Sequence, residues 1–84
     1  MAKIEKLIHN ILSGQSDANI KFNDVVRLLN HLGFEMRTKG SHNIFRKDGV
    51  NELINIQKDG NKAKPYQIRQ IRSILVEYNL TEDL

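Results

Sequence analysis

The sequence predicts an α+β fold with a three-stranded antiparallel sheet and helices on one face, in the order α-α-β-β-β-α. Apolar residues recur at helical spacing towards both ends of the chain. In the middle they alternate with polar residues, and glycine-containing turns separate three short segments. A sheet this small needs a cover for its apolar face, which the flanking helices can supply. The expected architecture is a two-layer sandwich.

Three amphipathic helices follow from the apolar stripes. The first covers residues 2–13 and ends at Gly14, which accepts a left-handed backbone. The second is predicted to be capped by Asn23 and to stop at Gly33, and the third begins at Pro65, whose missing amide suits that position. The stripes contain Ile4, Leu7, Ile8, Ile11 and Leu12; Val25, Val26, Leu28, Leu29 and Leu32; and Tyr66, Ile68, Ile71, Ile74, Leu75 and Tyr78.

The central segment changes to a period of two, which is typical of strands. Ile44 and Phe45 are adjacent, so only one of them can point into a core on one side of the sheet. The lysine-rich segment 58–64 is expected to be a polar loop before the last helix. The three strands are predicted at residues 34–39, 42–47 and 51–57.

Length and composition favour one soluble globular domain spanning residues 1–84, since 39% of the residues are hydrophobic and 27% are charged. No apolar run approaches the roughly 20 residues of a membrane span. The amphipathic start of the chain does not resemble a signal peptide, so we expect a cytoplasmic protein with no membrane partner. There are no cysteines, and the histidines and acids lack ligand spacing, so neither a metal nor a cofactor is expected.

Positive charge is concentrated in the middle of the chain. Residues 31–72 carry nine Lys/Arg against four acids, a balance of +5, and the rest has four bases and six acids, or −2. Such a block favours a polyanionic partner, most simply nucleic acid, although a merely solvated surface is the alternative. Three antiparallel strands between helices also resemble a double-stranded RNA-binding fold, but a fold alone does not set function.

The segment TKGSHNIFRK, residues 38–47, contains a histidine that a plain hairpin does not need. His42 is either an ordinary polar residue at a strand edge or an acid/base group, because an imidazole exchanges protons near neutral pH. Beside bound RNA it could remove the proton from a 2′-hydroxyl, while basic neighbours stabilise the charge on phosphorus. Arg69 and Arg72 share one helix face and could add to such a surface. The other candidates for holding phosphate are Lys39, Arg46, Lys47, Lys62 and Lys64.

Three stretches carry a family resemblance: LLNHLGFEMRTKGSHNIFRKDG from residue 28, KAKPYQIRQIRSIL from residue 62, and the ending ILVEYNL from residue 74. The chain resembles the HicA family of bacterial toxins, the mRNA-cleaving half of HicA–HicB toxin–antitoxin pairs. The resemblance covers a core at residues 20–80, with residues 1–14 as an N-terminal helical extension. It implies a double-stranded-RNA-binding-like fold, metal-independent endoribonuclease activity on mRNA, and inhibition by a HicB-like antitoxin.

The same resemblance assigns the catalytic role to His42. Gly40 and Ser41 form the turn before it and are counted with the basic residues as candidates for binding RNA phosphate. The chain departs from many relatives at Asn43, where they carry a second histidine. Since adjacent strand residues face opposite ways, this departure leaves open an inactive toxin whose main role is binding its antitoxin. A separate alternative is a non-catalytic RNA-binding module that uses the same basic surface.

Overall fold

The computed structural model describes residues 2–81, with side chains from Ile4 onward, so residue 1 and residues 82–84 of the predicted domain lie outside the described range. The α+β class and the order α-α-β-β-β-α are confirmed. The main elements are α1 (Ala2–Ser13), α2 (Phe22–His31), β1 (Glu35–Lys39), β2 (His42–Arg46), β3 (Ile54–Ile56) and α3 (Pro65–Glu77), and the small ones are a 3-10 turn (Asp17–Asn19), β4 (Lys58–Asp59) and β5 (Lys62–Ala63).

The three long strands form an antiparallel sheet in the order β1-β2-β3. Phe45 of β2 lies between Met36 and Ile54 of its neighbours and is fully buried, so it is the inward member of the Ile44–Phe45 pair. Ile44 lies on the opposite, open face and is only half-buried. The alternation gives the sheet two faces: an inner face that is buried at Phe45, Ile54 and Ile56 but exposed along β1, and an outer face towards solvent.

The core lies between the inner face of the sheet and the helices. Helix α3 packs against β3, and α1 packs against both α2 and α3. Although α1 belongs to the predicted extension, three of its residues are buried in the common cluster. The buried apolar residues are Leu7, Ile8, Ile11, Ile20, Phe22, Val25, Leu28, Leu29, Phe34, Phe45, Ile54, Ile56, Ala63, Ile68, Ile71, Ile74 and Leu75.

An arginine on α3 fastens α1 to the rest of the molecule. The two terminal nitrogens of Arg72 each donate a hydrogen bond of 2.9 Å to the carboxylate of Asp17, and one of them donates a second bond of 2.9 Å to the carbonyl oxygen of Ile11. These hydrogen bonds hold the pKa of the Asp17 carboxyl below its ordinary value. Arg72 is therefore engaged inside the fold, and the expectation that it extends a phosphate-binding face with Arg69 is wrong.

The start of α2 and the segment before α3 differ from the sequence-based predictions. Helix α2 begins at Phe22 with Lys21 as its capping residue, so Asn23 lies within the first turn and does not cap it. Residues 58–63 form the hairpin β4–β5 and not an irregular loop. The backbone N–H of Ala63 donates to the carbonyl of Ile20 over 3.0 Å, which fastens this hairpin beside α2. These tertiary bonds have no signature in local sequence.

Two tyrosines placed on the apolar stripe of the last helix behave differently. Tyr66 is 55% exposed, so its predicted packing role is wrong. Tyr78 packs against the core, and its hydroxyl donates a 2.7 Å hydrogen bond to Glu52 while accepting a 3.2 Å bond from the backbone N–H of Asn51. Tyr78 thus anchors the loop between β2 and β3 to the end of α3.

Candidate active site on the open face of the sheet

The turn between β1 and β2 sets the position of His42. Its two loop residues are Gly40 and Ser41, and Gly40 has a φ of 62°, the left-handed backbone that a type II′ turn requires at its first position. The turn closes the pair Lys39 and His42, which are directly opposite each other. His42 is therefore the first residue of β2, and its exposed side chain lies on the open face, opposite to that of Phe45.

Two amide side chains, one on β3 and one directly after it, contact the imidazole of His42. Its Nδ1 atom lies 3.0 Å from Nδ2 of Asn55 and 3.1 Å from Nε2 of Gln57. Within the part of the chain that the structure describes, no hydrogen bond engages Nε2 of the ring. The ring is thus oriented from behind, through Nδ1, and its other nitrogen is available to a ligand.

Gln57 is itself fixed by residues at the start of α3. The Nζ atom of Lys64 donates to Oε1 of Gln57 over 3.3 Å. The side-chain oxygen of Gln67, which is 2% exposed, accepts the backbone N–H groups of Gln57 and Lys64 over 3.2 and 3.4 Å. A buried polar side chain with its hydrogen bonds satisfied is a rigid support. A chain of contacts therefore runs from α3 through Gln57 to the imidazole.

Asn43 occupies the inner side of the sheet, one residue from the imidazole. Its Oδ1 accepts a 3.1 Å hydrogen bond from Thr38 Oγ1, and its Nδ2 donates a 3.2 Å bond to the carbonyl of Ile56. Asn43 also lines a groove of about 430 Å³ next to the turn. The remaining described lining residues of this groove are Phe22, Ser41, Gln57 and Lys58. Asn43 and His42 therefore belong to different surfaces.

Of the five basic candidates for holding phosphate, two lie close to the imidazole. Lys39 is its cross-strand partner, and Lys64 contacts the same glutamine that contacts the ring. Arg46 is at the far end of β2, roughly 13 Å along the strand at about 3.3 Å per residue. Its guanidinium lies 3.7 Å from the carboxylate of Asp48.

The other two basic candidates lie among other partners. Lys47 lines a shallow groove with Gly33, Glu35 and Asp48, beyond the end of β2 that is remote from His42. Lys62 donates a 3.1 Å hydrogen bond to the side chain of Asn19. The basic candidates are consequently distributed along the molecule, and only Lys39 and Lys64 belong to the immediate surroundings of the imidazole.

The described residues contain no cluster of three or more histidine, aspartate or glutamate side chains arranged to hold a metal ion. Over the same residues, no helix has the length and apolar character needed to cross a membrane.

Comparison with known proteins supplies the family. The model of the HicA toxin family, described as the HicA toxin of bacterial toxin–antitoxin, matches residues 22–76 of the 84-residue chain. The chain belongs to the HicA toxin family. The HicA match begins with the first residue of α2 and ends one residue before the end of α3, so it includes the whole sheet and His42. No curated protein and no solved structure matches the chain.

Helix α1 and the 3-10 turn lie outside the segment that matches the HicA family model. They are nevertheless joined to α3 by the bonds of Arg72 and by the buried face of α1. Helix α1, which lies outside the matched segment, therefore covers one side of that segment.

Three polar residues of the site were not singled out from the sequence: Asn55, Gln57 and Gln67. Part of the signal was present, because alternation around Ile54 and Ile56 places Asn55 and Gln57 on the outer face of β3. Residue 57 comes opposite residue 42 through the register of β2 with β3, in which Asn43 pairs with Ile56. The role of Gln67 had no such signal, since it depends on how α3 meets the sheet.

Proposed function

We propose that this protein is an endoribonuclease toxin that cleaves mRNA in the cytoplasm, with His42 as the general acid/base. The observation that carries the proposal is the placement of an oriented, solvent-facing imidazole on the open sheet face of a HicA-family fold. Two lysines belong to the surroundings of the same ring: Lys39 is the cross-strand partner of His42, and the ammonium group of Lys64 contacts Gln57. The two amide contacts at Nδ1 favour a functional role for His42 over that of an ordinary exposed polar residue, because they fix the orientation of the ring.

The proposed reaction uses the RNA's own 2′-hydroxyl as the nucleophile. As this hydroxyl loses its proton, its oxygen attacks the adjacent phosphorus, and the bond from phosphorus to the 5′-oxygen breaks. The 5′-oxygen takes up a proton, which leaves a 2′,3′-cyclic phosphate and a 5′-hydroxyl end. His42 accepts the proton of the 2′-hydroxyl as general base and supplies a proton to the 5′-oxygen as general acid, and Lys39 and Lys64 offset the negative charge that builds on the phosphate oxygens.

Membership of the HicA family implies an antitoxin partner, and we propose a HicB-like protein that masks the site. The open face is suited to masking because His42 and its cross-strand partner Lys39 are both exposed. A partner that covers this face would exclude RNA without entering the core. Binding of the antitoxin and binding of RNA would then compete.

Cleavage of an mRNA transcript by the purified protein in the presence of a chelator tests the proposal. We expect products with 5′-hydroxyl ends, and no cleavage of a transcript that carries 2′-deoxyribose at the cut sites. The variant His42→Ala should retain the circular dichroism spectrum of the wild type and lose cleavage. His9→Ala is the matched control, because His9 is an exposed histidine on α1.

Undiminished cleavage by a folded His42→Ala protein would refute the catalytic assignment. RNA binding that weakens steeply with salt, without cleavage by the wild type, would instead identify a non-catalytic RNA-binding module. Antitoxin binding with neither activity would identify an inactive toxin. Measurements of RNA cleavage, RNA binding and antitoxin binding on the same purified proteins distinguish these three outcomes.

A further inference from the structure

Both hydrogen-bonding neighbours of His42 approach the same ring nitrogen. Nδ1 lies 3.0 Å from an amide nitrogen of Asn55 and 3.1 Å from an amide nitrogen of Gln57. Amide nitrogens are donors only, so Nδ1 must accept. A neutral imidazole has one donor and one acceptor nitrogen, and with Nδ1 accepting, its proton resides on Nε2.

The position of the ring proton depends on which end of each amide faces the ring, since nitrogen and oxygen can be exchanged by a rotation of the side-chain amide. The contact with Lys64 determines the orientation of the Gln57 amide. Its ammonium group lies 3.3 Å from Oε1 of Gln57 and can only donate. Rotating the amide would bring its NH₂ group against the ammonium group and its oxygen against the ring. The orientation with the nitrogen towards His42 is the one that satisfies both contacts.

Two further features make Gln57 the controlling residue. Its backbone is held by Gln67, so the side chain starts from a fixed point. Asn55, by contrast, has no second hydrogen-bond partner for its amide oxygen among the described residues, so its amide can rotate to suit either form of the ring. The preference of the ring therefore originates at Lys64 and reaches His42 through Gln57.

We infer that Lys64 and Gln57 act as positioning residues that hold the proton of the neutral His42 ring on Nε2. In this form the ring meets an incoming phosphate oxygen as a hydrogen-bond donor. His42 can accept a proton through Nε2 only after the ring proton has moved to Nδ1, which requires Gln57 to turn its oxygen towards the ring. The bearing of this on catalysis rests on the proposed function, whereas the location of the proton does not.

Nitrogen-15 NMR of the histidine side chains in the full-length protein tests the inference, recorded at about pH 8.5, where an ordinary imidazole is neutral and an ordinary lysine is charged. We expect His42 Nδ1 to resonate as an unprotonated ring nitrogen and Nε2 as a protonated one. In Gln57→Glu, a carboxylate that only accepts replaces the amide nitrogen, and the two resonances should exchange character. In Lys64→Met the amide loses its orienting partner, and both resonances should move towards intermediate positions.

Lys58→Met is the matched control, because the ammonium group of Lys58 lies over the ring of Phe22, 5.2 Å from its centroid, and makes no hydrogen bond to the Gln57 amide among the described residues. It should leave the His42 resonances unchanged. A protonated Nδ1 in the wild-type protein would overturn the inference, and so would wild-type resonances in Lys64→Met. Because no RNA is present, these outcomes are independent of whether the protein cleaves mRNA.

Discussion

Replacing Arg72 by methionine should release α1 and the 3-10 turn from α3. The substitution keeps much of the apolar stem but removes three hydrogen bonds of 2.9 Å, two to Asp17 and one to the carbonyl of Ile11. It also leaves the Asp17 carboxylate without its cation, with the two side chains only 23% and 15% exposed in the intact pair.

The geometry of the pair sets the expected loss in the free energy of unfolding. Exposed ion pairs contribute about 0–1 kcal/mol, and breaking a fully buried pair costs about 3–5 kcal/mol. A bidentate pair of intermediate burial that also satisfies a backbone carbonyl lies between these limits, so we expect a loss of about 2–4 kcal/mol in the free energy of unfolding. For a domain of this size that corresponds to a fall in Tm of roughly 8–30 °C, at about 4–8 °C per kcal/mol.

The contribution of the Asp17–Arg72 pair to the free energy of unfolding should decrease as the pH falls. Hydrogen bonding to Arg72 lowers the pKa of Asp17 in the folded protein. The pair's contribution is therefore complete above the ordinary value, about 3.9, and is lost as pH falls through the lower folded value. The stability difference between the wild type and Asp17→Asn should accordingly shrink as pH falls below about 4.

Urea unfolding followed by circular dichroism, at neutral and acidic pH, measures these differences. Arg27→Met is the matched control: its pairing with Asp24 spans 3.5 Å between side chains 53% and 38% exposed, so its loss should cost less than about 1 kcal/mol. Equal losses for Arg72→Met and Arg27→Met would refute the reasoning, as would an Asp17→Asn effect that persists unchanged at acidic pH.

Phe45→Ala should reduce the free energy of unfolding by about 3–5 kcal/mol in a urea titration, because the side chain is fully buried and its loss leaves a cavity; an effect below about 1 kcal/mol would contradict the assigned facing of β2. Asn43→His should not increase mRNA cleavage, because residue 43 lies on the inner face beside Thr38; a gain measured on a gel would show that the second position carries the chemistry. Gly40→Ala should lower Tm by a few degrees, consistent with roughly 1 kcal/mol for a side chain forced to a positive φ, and an unchanged Tm would argue against the assigned turn.

The elements of the fold could be predicted from the sequence where local signals were strong. The stripe of α1, the proline that begins α3 and the glycine of the first turn all act within a few residues, and each is found where predicted. The hairpin β4–β5 could not be predicted, because its position is fixed by backbone bonds to residues 20 and 22. The start of α2 at Phe22 was missed for the same reason.

For the candidate site, the sequence supplied the residue but not its supports. The family resemblance selected His42 as the catalytic residue. The residues alone left two roles open for it, an ordinary polar residue at a strand edge or an acid/base group. Charge could not distinguish Lys64, which contacts Gln57, from Lys62, which contacts Asn19, because the two lysines are two residues apart in one basic segment. Their separation is a product of the β4–β5 hairpin and the start of α3.

The two-residue turn at Gly40 and Ser41 makes the site sensitive to chain length as well as to residue identity. If an inserted residue there shifted β2 by one position against β1, and was not absorbed by a longer loop, every side chain of β2 would exchange faces. The imidazole would then point towards the groove beside the core, and Phe45 would point into water. The two-residue length of the turn, as well as the identity of its residues, thus keeps His42 on the outer face of the sheet and Phe45 on the inner face.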